Sequence, residues 1–151
     1  MKTVKTRDTV LVLVTQLPSG SITTEDIDLM LPFNNQITIL SLKGYEIKQA
    51  LEQSVSFLPL QYGGFLQVSG ISFDIDVNEE PFKMEPHTKT GSIKIIRTGN
   101  RVSKIMILDI NGKYIPINPD KTYQAAVNSF LANGGDNFRV MTSLEVDFGV
   151  F

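Results

Sequence analysis

One segment of the sequence, residues 128–138, combines residue types that suit small-molecule binding. Two consecutive glycines tolerate positive φ and let backbone N–H groups approach a ligand closely, and a carboxylate follows them directly. An aromatic side chain precedes them at a point where a β-strand should end. The candidate binding residues of the segment are Phe130, Asn133, Gly134, Gly135 and Asp136.

A second aromatic residue stands in a comparable position, because Phe33 follows Pro32 and precedes two asparagines. Two aromatic side chains on loop positions, each beside polar amide residues, could hold a planar ligand between their faces. The residues alone leave a plainer interpretation open. A lone Phe is usually a core residue, and Asn, Gly and Asp dominate ordinary turns for steric reasons.

The elements that must position these residues are short strands and a few helices, separated by Gly, Pro and Asn. Residues 10–14 are continuously apolar, which predicts a buried strand. Thr23 occupies the N-cap position of a predicted helix, with Asp26 three residues later in the capping-box position. Because Pro32 disfavours helical geometry at the preceding residue, this helix should end there and Phe33 should lie in a loop.

The next two elements are a strand and the clearest helix of the chain. Residues 36–42 predict a strand with Ile37, Ile39 and Ser41 on one face. A helix is predicted from about Gly44, because apolar and small residues follow at intervals of three and four. The residues of its predicted buried face are Ile47, Ala50, Leu51, Ser54 and Val55.

The second half of the chain is predicted to be a meander of strands. The predicted strands are residues 71–77, 93–97, 102–110 and 123–127. Asn111-Gly112 between two apolar runs predicts a tight hairpin turn. Residues 78–91 contain two prolines and several charges, so they are predicted to form the least structured loop of the chain.

Composition narrows the possible functions. The 151 residues carry a formal net charge of −2 with both signs interspersed, so we expect no nucleic-acid partner. The absence of cysteine excludes a thiol nucleophile, a disulfide and a thiolate metal site. The length predicts one domain over residues 1–151, and the apolar run at 10–14 is too short for a signal-peptide core or a membrane span.

Two features that suggest metal or acid–base chemistry fit it poorly. Residues 74–85 match several ligand positions of an EF-hand loop, but Glu79 stands where the loop requires glycine. The single histidine, His87, lies in the proline-containing loop, where we expect a solvated surface residue. No catalytic residue and no metal ligand is therefore predicted in this chain.

Four stretches of the sequence resemble the 5'-nucleotidase C-terminal domain in their order and spacing. They are Leu31-Pro32-Phe33, Leu42-Lys43-Gly44, residues 64–71 and residues 128–138. The resemblance extends from about Gly20 to Phe138 and implies an α+β fold, a mixed sheet or sheets with packed helices. It also implies that a nucleotide or nucleoside binds here, its base between two phenylalanines and its ribose hydroxyls on a carboxylate. The implied substrate-binding residues are Phe33, Phe130, Asn133, Gly134, Gly135 and Asp136.

The resemblance implies phosphomonoester hydrolysis that this chain does not perform alone. In that family a separate N-terminal metallophosphatase domain holds two divalent metal ions, and such a site needs a set of His and carboxylate ligands. Because the chain has a single His, we expect it to be inactive by itself and to hold no cofactor. The implied partner is a metallophosphatase domain in cis or in trans, and the family suggests a secreted, periplasmic or cell-surface location.

One segment of the sequence differs from the family pattern, and this difference leaves two alternative functions open. Residues 10–16 stand where the family carries an Asn-Gly-Gly-Gly-Ile-Arg type loop, whose Asn touches the base and whose Arg reaches the phosphate, and they contain neither residue type. The chain could be a stand-alone nucleoside-binding module without catalysis, which a metallophosphatase domain encoded directly upstream would exclude. It could also be a protein-association module in which the strand at 10–14 lies at an exposed edge of a sheet and pairs with a second chain. A strict monomer would count against that last hypothesis.

Overall fold

The chain folds into helices packed against small antiparallel sheets, in agreement with the predicted α+β class. A computed structural model describes residues 20–30, 33–86, 93–142 and 146–147. The helices within these residues are α1 (Thr24–Met30), α2 (Gly44–Ser54) and α3 (Ser129–Ala132). The strands are β1 (Ile37–Lys43), β2 (Ile71–Ile75), β3 (Lys83–Pro86), β4 (Ile93–Arg97), β5 (Val102–Leu108), β6 (Tyr114–Pro116), β7 (Thr122–Asn128) and β8 (Val146–Asp147).

Three sheets organise the strands of the described residues, in the orders β7-β1-β8, β2-β5-β6 and β3-β4, with every pairing antiparallel. The longest pairing joins β1 to β7 without a break, from Ile37 opposite Asn128 to Lys43 opposite Thr122. The start of β1 therefore lies beside the end of β7. This places the segments that flank those two ends next to each other.

The predicted start of the first helix is confirmed by a reciprocal cap. The Thr23 hydroxyl accepts a hydrogen bond from the Asp26 backbone N–H at 3.2 Å, and the Asp26 carboxylate accepts one from the Thr23 backbone N–H at 2.8 Å. These bonds satisfy two backbone donors that a helix start leaves unpaired. The helix ends at Met30, as Pro32 predicts, and Phe33 follows in a bend.

The structure shows which face of β1 is buried, a point that the sequence left open. Ile37, Ile39 and Ser41 do share a face, but Ile37 is 74% exposed, whereas Thr38, Leu40 and Leu42 on the other face are the buried residues. Both faces of the strand carry apolar side chains, so a period of two cannot tell which one meets the core. Helix α2 packs against this strand, and its position determines which face of β1 is buried.

Helix α2 confirms its prediction most fully, because all five residues of its predicted buried face are buried. Its first turn is capped by the Glu46 carboxylate, which accepts a hydrogen bond from the Lys43 backbone N–H at 2.7 Å. At its first residue, a Cβ on Gly44 would stand 2.2 Å from the carbonyl oxygen of Asn118. Only glycine therefore lets the turn before β7 pack this closely on the helix start.

The region between β2 and β5 departs from its prediction in three ways. Strand β2 ends at Ile75, two residues early, because the Asp76 side chain accepts the Asn78 backbone N–H and turns the chain. The predicted loop 78–91 is wrong in part, since it contains β3, which pairs with β4. Strands β4 and β5 follow each other in sequence but belong to different sheets, so this half is a meander only in part.

The strands predicted at 93–97 and 123–127 are confirmed as β4 and β7, and the strand predicted at 102–110 is confirmed as far as Leu108. The turn at Asn111-Gly112 closes the β5–β6 hairpin, with Gly112 at φ 74° and the Asp109 N–H bonded to the Lys113 carbonyl. Strand β7 follows the predicted turn around Pro119. The predicted strand at 10–14 and His87 lie outside the described residues. Among the residues described, no helix is long and apolar enough to cross a membrane.

A buried carboxylate joins α2 to β5. Glu52 is 1% exposed, and its two oxygens accept hydrogen bonds from the backbone N–H groups of Arg101 and Val102, both at 3.0 Å. Burial raises the pKa of the Glu52 carboxyl, and these two backbone hydrogen bonds offset part of that rise. The Arg101 guanidinium binds the chain just after α2, with Nη1 within hydrogen-bond distance of the carbonyl oxygens of Val55, Ser56 and Leu58.

Replacing this carboxylate tests its role in stability. In Glu52→Gln one acceptor oxygen becomes an NH₂ group that faces a backbone N–H, so a buried donor loses its partner. We expect the free energy of unfolding, measured by urea denaturation, to fall by about 1–3 kcal/mol. Glu25→Gln, on the exposed surface of α1, is the matched control and should change it little. Equal stability of the two variants would contradict this role.

Candidate functional site

The two candidate phenylalanines lie on segments that the β1–β7 pairing brings together. Phe33 precedes β1, whose first residue, Ile37, is paired with Asn128 at the end of β7. Phe130 follows Asn128 as the second residue of α3. The two residues therefore come from adjacent strand ends, although they are far apart in sequence.

Ser129 ties the two segments beyond the end of the sheet. Its backbone N–H donates to the Gln36 carbonyl at 2.8 Å, and its hydroxyl oxygen accepts the Gln36 N–H at 3.1 Å. The Ser129 hydroxyl in turn donates to the Asn35 side-chain oxygen at 3.2 Å. Asn35 is also bonded to Phe33, because its backbone N–H donates to the Phe33 carbonyl oxygen at 2.7 Å. The backbone of the Phe33 loop is thus fixed relative to the residue that precedes Phe130.

Both aromatic side chains are open to solvent. Phe33 is 62% exposed and Phe130 is 49% exposed, so the plainer interpretation of the two as core residues does not hold. Neither ring contacts another aromatic ring within the described residues. Phe130 was expected in a loop but lies in the short helix α3, which Asn128 caps by accepting the Leu131 N–H at 2.8 Å.

The glycine pair shapes the surface on which Phe130 rests. Gly134 is left-handed, with φ 81° and ψ 22°, a conformation that glycine adopts without strain. Gly135 is required for a steric reason, because a Cβ built on it would stand 2.4 Å from Cε1 of the Phe130 ring. The ring therefore packs directly on the backbone of Gly135, at a distance that other residues do not permit.

The carboxylate of the segment belongs to a residue in a rare backbone conformation. Asp136 has φ 51° and ψ 26°, and the following Asn137 also has a positive φ, 63°. The Asp136 carbonyl oxygen accepts hydrogen bonds from Gln53 Nε2 at 3.1 Å and from the Tyr62 hydroxyl at 3.4 Å. Its side chain carries the charge on the exposed side of the turn.

Tyr62 links the backbone of Asp136 to a second aromatic residue, Phe57. Its ring lies 4.4 Å from the ring of Phe57, measured between centroids, at an interplanar angle of 38°. Burial raises the pKa of the Tyr62 hydroxyl, and the negative charge of Asp136 raises it further. The hydroxyl therefore keeps its proton and acts as a donor at neutral pH.

Asn133 is engaged within its own helix. It forms the C-cap of α3, and its side-chain Nδ2 donates to the Ser129 carbonyl at 2.8 Å. Its exposed position beside Gly134 keeps it at the rim of the site. Among the described residues, no group of three or more His, Cys, Asp or Glu side chains could hold a metal ion.

The family model of the 5'-nucleotidase C-terminal domain matches residues 5–143. The chain belongs to this family. As a member, it is 32% identical over 142 residues to the trifunctional nucleotide phosphoesterase protein YfkN of Bacillus subtilis, a match that covers 89% of the chain and 8% of that protein. It is 33% identical over 126 residues to the 5'-nucleotidase of Mus musculus, covering 82% of the chain and 19% of that protein.

A solved structure shares the fold of this family member. The 5'-nucleotidase precursor from Thermus thermophilus superimposes with a TM-score of 0.68 at 34% identity, over 87% of this chain and 22% of that one. The chain thus spans less than a quarter of the length of each of these three relatives. Among proteins of the family, it corresponds to the C-terminal domain.

Sequence reasoning missed three residues of the site of this 5'-nucleotidase C-terminal domain: Ser129, Gln53 and Tyr62. Gln53 carried no signal, because it lies outside the helix face that the apolar spacing predicts to be buried, and its burial is seen only in the structure. Ser129 and Tyr62 carried none either, since their bonds join residues distant in sequence.

The contact between Phe130 and Gly135 yields a direct prediction. In Gly135→Ala the ring must retreat by about 1 Å to reach ordinary van der Waals distance from the new methyl group. We expect the aromatic NMR resonances of Phe130 to shift, whereas Gly63→Ala, which has nothing within 4 Å of its added Cβ, should leave them unchanged. Identical Phe130 resonances in Gly135→Ala and the parent would show that the ring does not rest there.

Proposed function

We propose that this domain binds the nucleoside part of a nucleotide, with the base stacked between Phe33 and Phe130 and the ribose hydroxyls bound by the Asp136 carboxylate. The observation that carries the proposal is the pair of solvent-exposed phenylalanines on adjacent strand ends, fastened by Ser129. An exposed aromatic side chain on a fixed backbone loses little conformational freedom when a base stacks on it. The arrangement supports a slot for a flat ligand.

The chemistry of the proposed contacts suits a nucleoside. Every base has a π-face, so stacking on Phe tolerates different bases and contributes about 1–3 kcal/mol per contact. A carboxylate can accept hydrogen bonds from two vicinal hydroxyls, and a charged acceptor makes these stronger than neutral ones. Much of this gain is offset by immobilisation of the ligand, so we expect a Kd on the order of 0.1 mM to several mM for the domain alone.

The rest of the turn supports this binding through its backbone. Gly134 and Gly135 leave room for a ligand to approach the chain closely, and Gly135 also seats the Phe130 ring. Asn133 holds the end of α3 by its bond to the Ser129 carbonyl. In this proposal these three residues shape the slot, while Phe33, Phe130 and Asp136 contact the ligand.

The complete reaction requires residues beyond the described part of this chain. The relatives are named as 5'-nucleotidases and a nucleotide phosphoesterase, and the chain spans only a small share of each. We therefore propose that residues 1–151 form a single substrate-binding domain, which presents a nucleotide to a metallophosphatase domain in cis or in trans. Divalent metals would belong to that domain and would supply the hydrolytic chemistry. This domain would bind and orient the nucleoside.

The aromatic slot is tested by titrating the ¹⁵N-labelled chain with adenosine. Phe33→Ala and Phe130→Ala should each weaken binding at least about fivefold, because each removes one stacking contact. Tyr114→Ala, an exposed aromatic on β6, is the control and should bind like the parent. Unchanged spectra of the parent at millimolar adenosine, or parent-like affinity in both Phe variants, would contradict the proposal.

The role of the carboxylate is tested by comparing adenosine with 2',3'-dideoxyadenosine, which lacks the two vicinal hydroxyls at C2' and C3' of the ribose. The parent should prefer adenosine, since a carboxylate hydrogen bond contributes about 1.5–3 kcal/mol. Asp136→Asn should lose most of this preference and keep its affinity for the dideoxy compound, because the phenylalanines are untouched. An undiminished preference in Asp136→Asn would remove Asp136 from the site.

A further inference from the structure

Gln53 is a buried amide whose bonding partner lies in the binding turn. It is 3% exposed in the last turn of α2, among residues that pack in the core. A buried amide is unfavourable unless it is hydrogen-bonded. Its Nε2 donates a hydrogen bond to the carbonyl oxygen of Asp136 at 3.1 Å. The helix that organises the core thus also holds the residue with the exposed carboxylate.

Asp136 needs such support because its backbone conformation is disfavoured. Its φ of 51° places the Cβ close to the carbonyl oxygen, and Asn137 repeats the conformation at φ 63°. Asp and Asn adopt this region more readily than other residues with a side chain, and bonds from the surrounding structure help to hold them there. In this conformation the carbonyl oxygen of Asp136 faces the buried Gln53 side chain, which donates a hydrogen bond to it, while the Asp136 side chain stays exposed to solvent.

Tyr62 provides a second donor to the same carbonyl oxygen from a different element. Its hydroxyl lies 3.4 Å from that oxygen, and its ring is held by Phe57 on one side. A Cβ on Gly64 would stand 2.6 Å from the Tyr62 ring, so the ring also packs on glycine backbone. The hydroxyl is therefore carried by a fixed ring. Two fixed groups converge on one carbonyl oxygen.

We propose that Gln53 and Tyr62 are positioning residues that hold Asp136 in its left-handed conformation and thereby set the preference of the site for ribose over sugars that lack vicinal hydroxyls. This inference rests on the proposed function, in which Asp136 binds those hydroxyls. Without the two donors, Asp136 can relax to an ordinary negative φ, which swings the carboxylate away. The stacking contacts persist, since Ser129 and Gln36 fix the phenylalanine segments independently.

The test uses the full chain and two variants that remove one donor each. Gln53→Glu replaces the N–H donor with an oxygen at nearly constant volume, and Tyr62→Phe removes only the hydroxyl and keeps the ring. The matched controls are Gln49→Glu, on the same helix, and Tyr114→Phe, on β6. The Kd values for adenosine and for 2',3'-dideoxyadenosine are measured by NMR titration. The readout is the ratio of the dideoxyadenosine Kd to the adenosine Kd.

We expect each site variant to lower this ratio by about 2- to 10-fold, the range that follows from the loss of one hydrogen bond. The Kd for dideoxyadenosine should stay within about twofold of the parent, because the stacking contacts remain. The control variants should keep the parental ratio. If Gln53→Glu does not fold, as judged by its amide spectrum, Tyr62→Phe alone decides the question, because its change is confined to one hydroxyl group.

Different results separate this inference from the proposed function. If both site variants keep the parental ratio while Asp136→Asn lowers it, the inference is overturned and the proposed function stands. An equal loss of affinity for both nucleosides, with the ratio intact, would show a purely structural role and would also overturn it. A parent that binds neither nucleoside, or binds both equally, would overturn the proposed role of Asp136 and this inference with it.

Discussion

The hydrogen bonds between Ser129 and Gln36 extend the β1–β7 pairing past its last strand residues and join two parts of the chain that lie 93 residues apart in sequence. An antiparallel pair leaves the start of one strand beside the end of the other, so the loop before β1 and the helix after β7 must be neighbours. Ser129 turns this proximity into a fixed distance by using both its backbone and its hydroxyl. The placement of Phe33 relative to Phe130 depends on this junction.

A second constraint acts within the turn that follows α3. Gly134 reverses the chain, Gly135 leaves its surface free for the Phe130 ring, and Asp136 remains left-handed with its carbonyl oxygen bonded to α2 and to Tyr62. Helix α2 therefore supports both the core and the site. Its apolar side chains pack in the core, and the side chain of Gln53 donates a hydrogen bond to the turn. A site whose backbone is held from several elements needs little rearrangement to bind a ligand, which favours affinity at a given number of contacts.

Much of the fold follows from local sequence. The three-and-four spacing of α2, the Thr23–Asp26 cap and the Asn111-Gly112 hairpin each depend on residues close in sequence, and each is confirmed. The family could also be recognised from the sequence, because motifs such as residues 128–138 are specific in order and spacing. The exposed positions of both phenylalanines agree with the site prediction, although their role in binding stays a proposal.

What the sequence could not supply depends on distant partners. The buried face of β1 is chosen by α2, although Ile37 and Leu40 are equally apolar. Strand β3 has little apolar pattern, ends on Pro86 and follows closely after Pro81, so only its pairing with β4 defines it. The left-handed φ of Asp136 likewise follows from bonds to residues far back in the chain.

The placement of the base is tested by intermolecular NOEs between the adenine protons of bound adenosine and the chain. A base stacked between Phe33 and Phe130 gives NOEs to both rings. NOEs to only one ring, or to a different face of the domain, would show that the base does not lie between them.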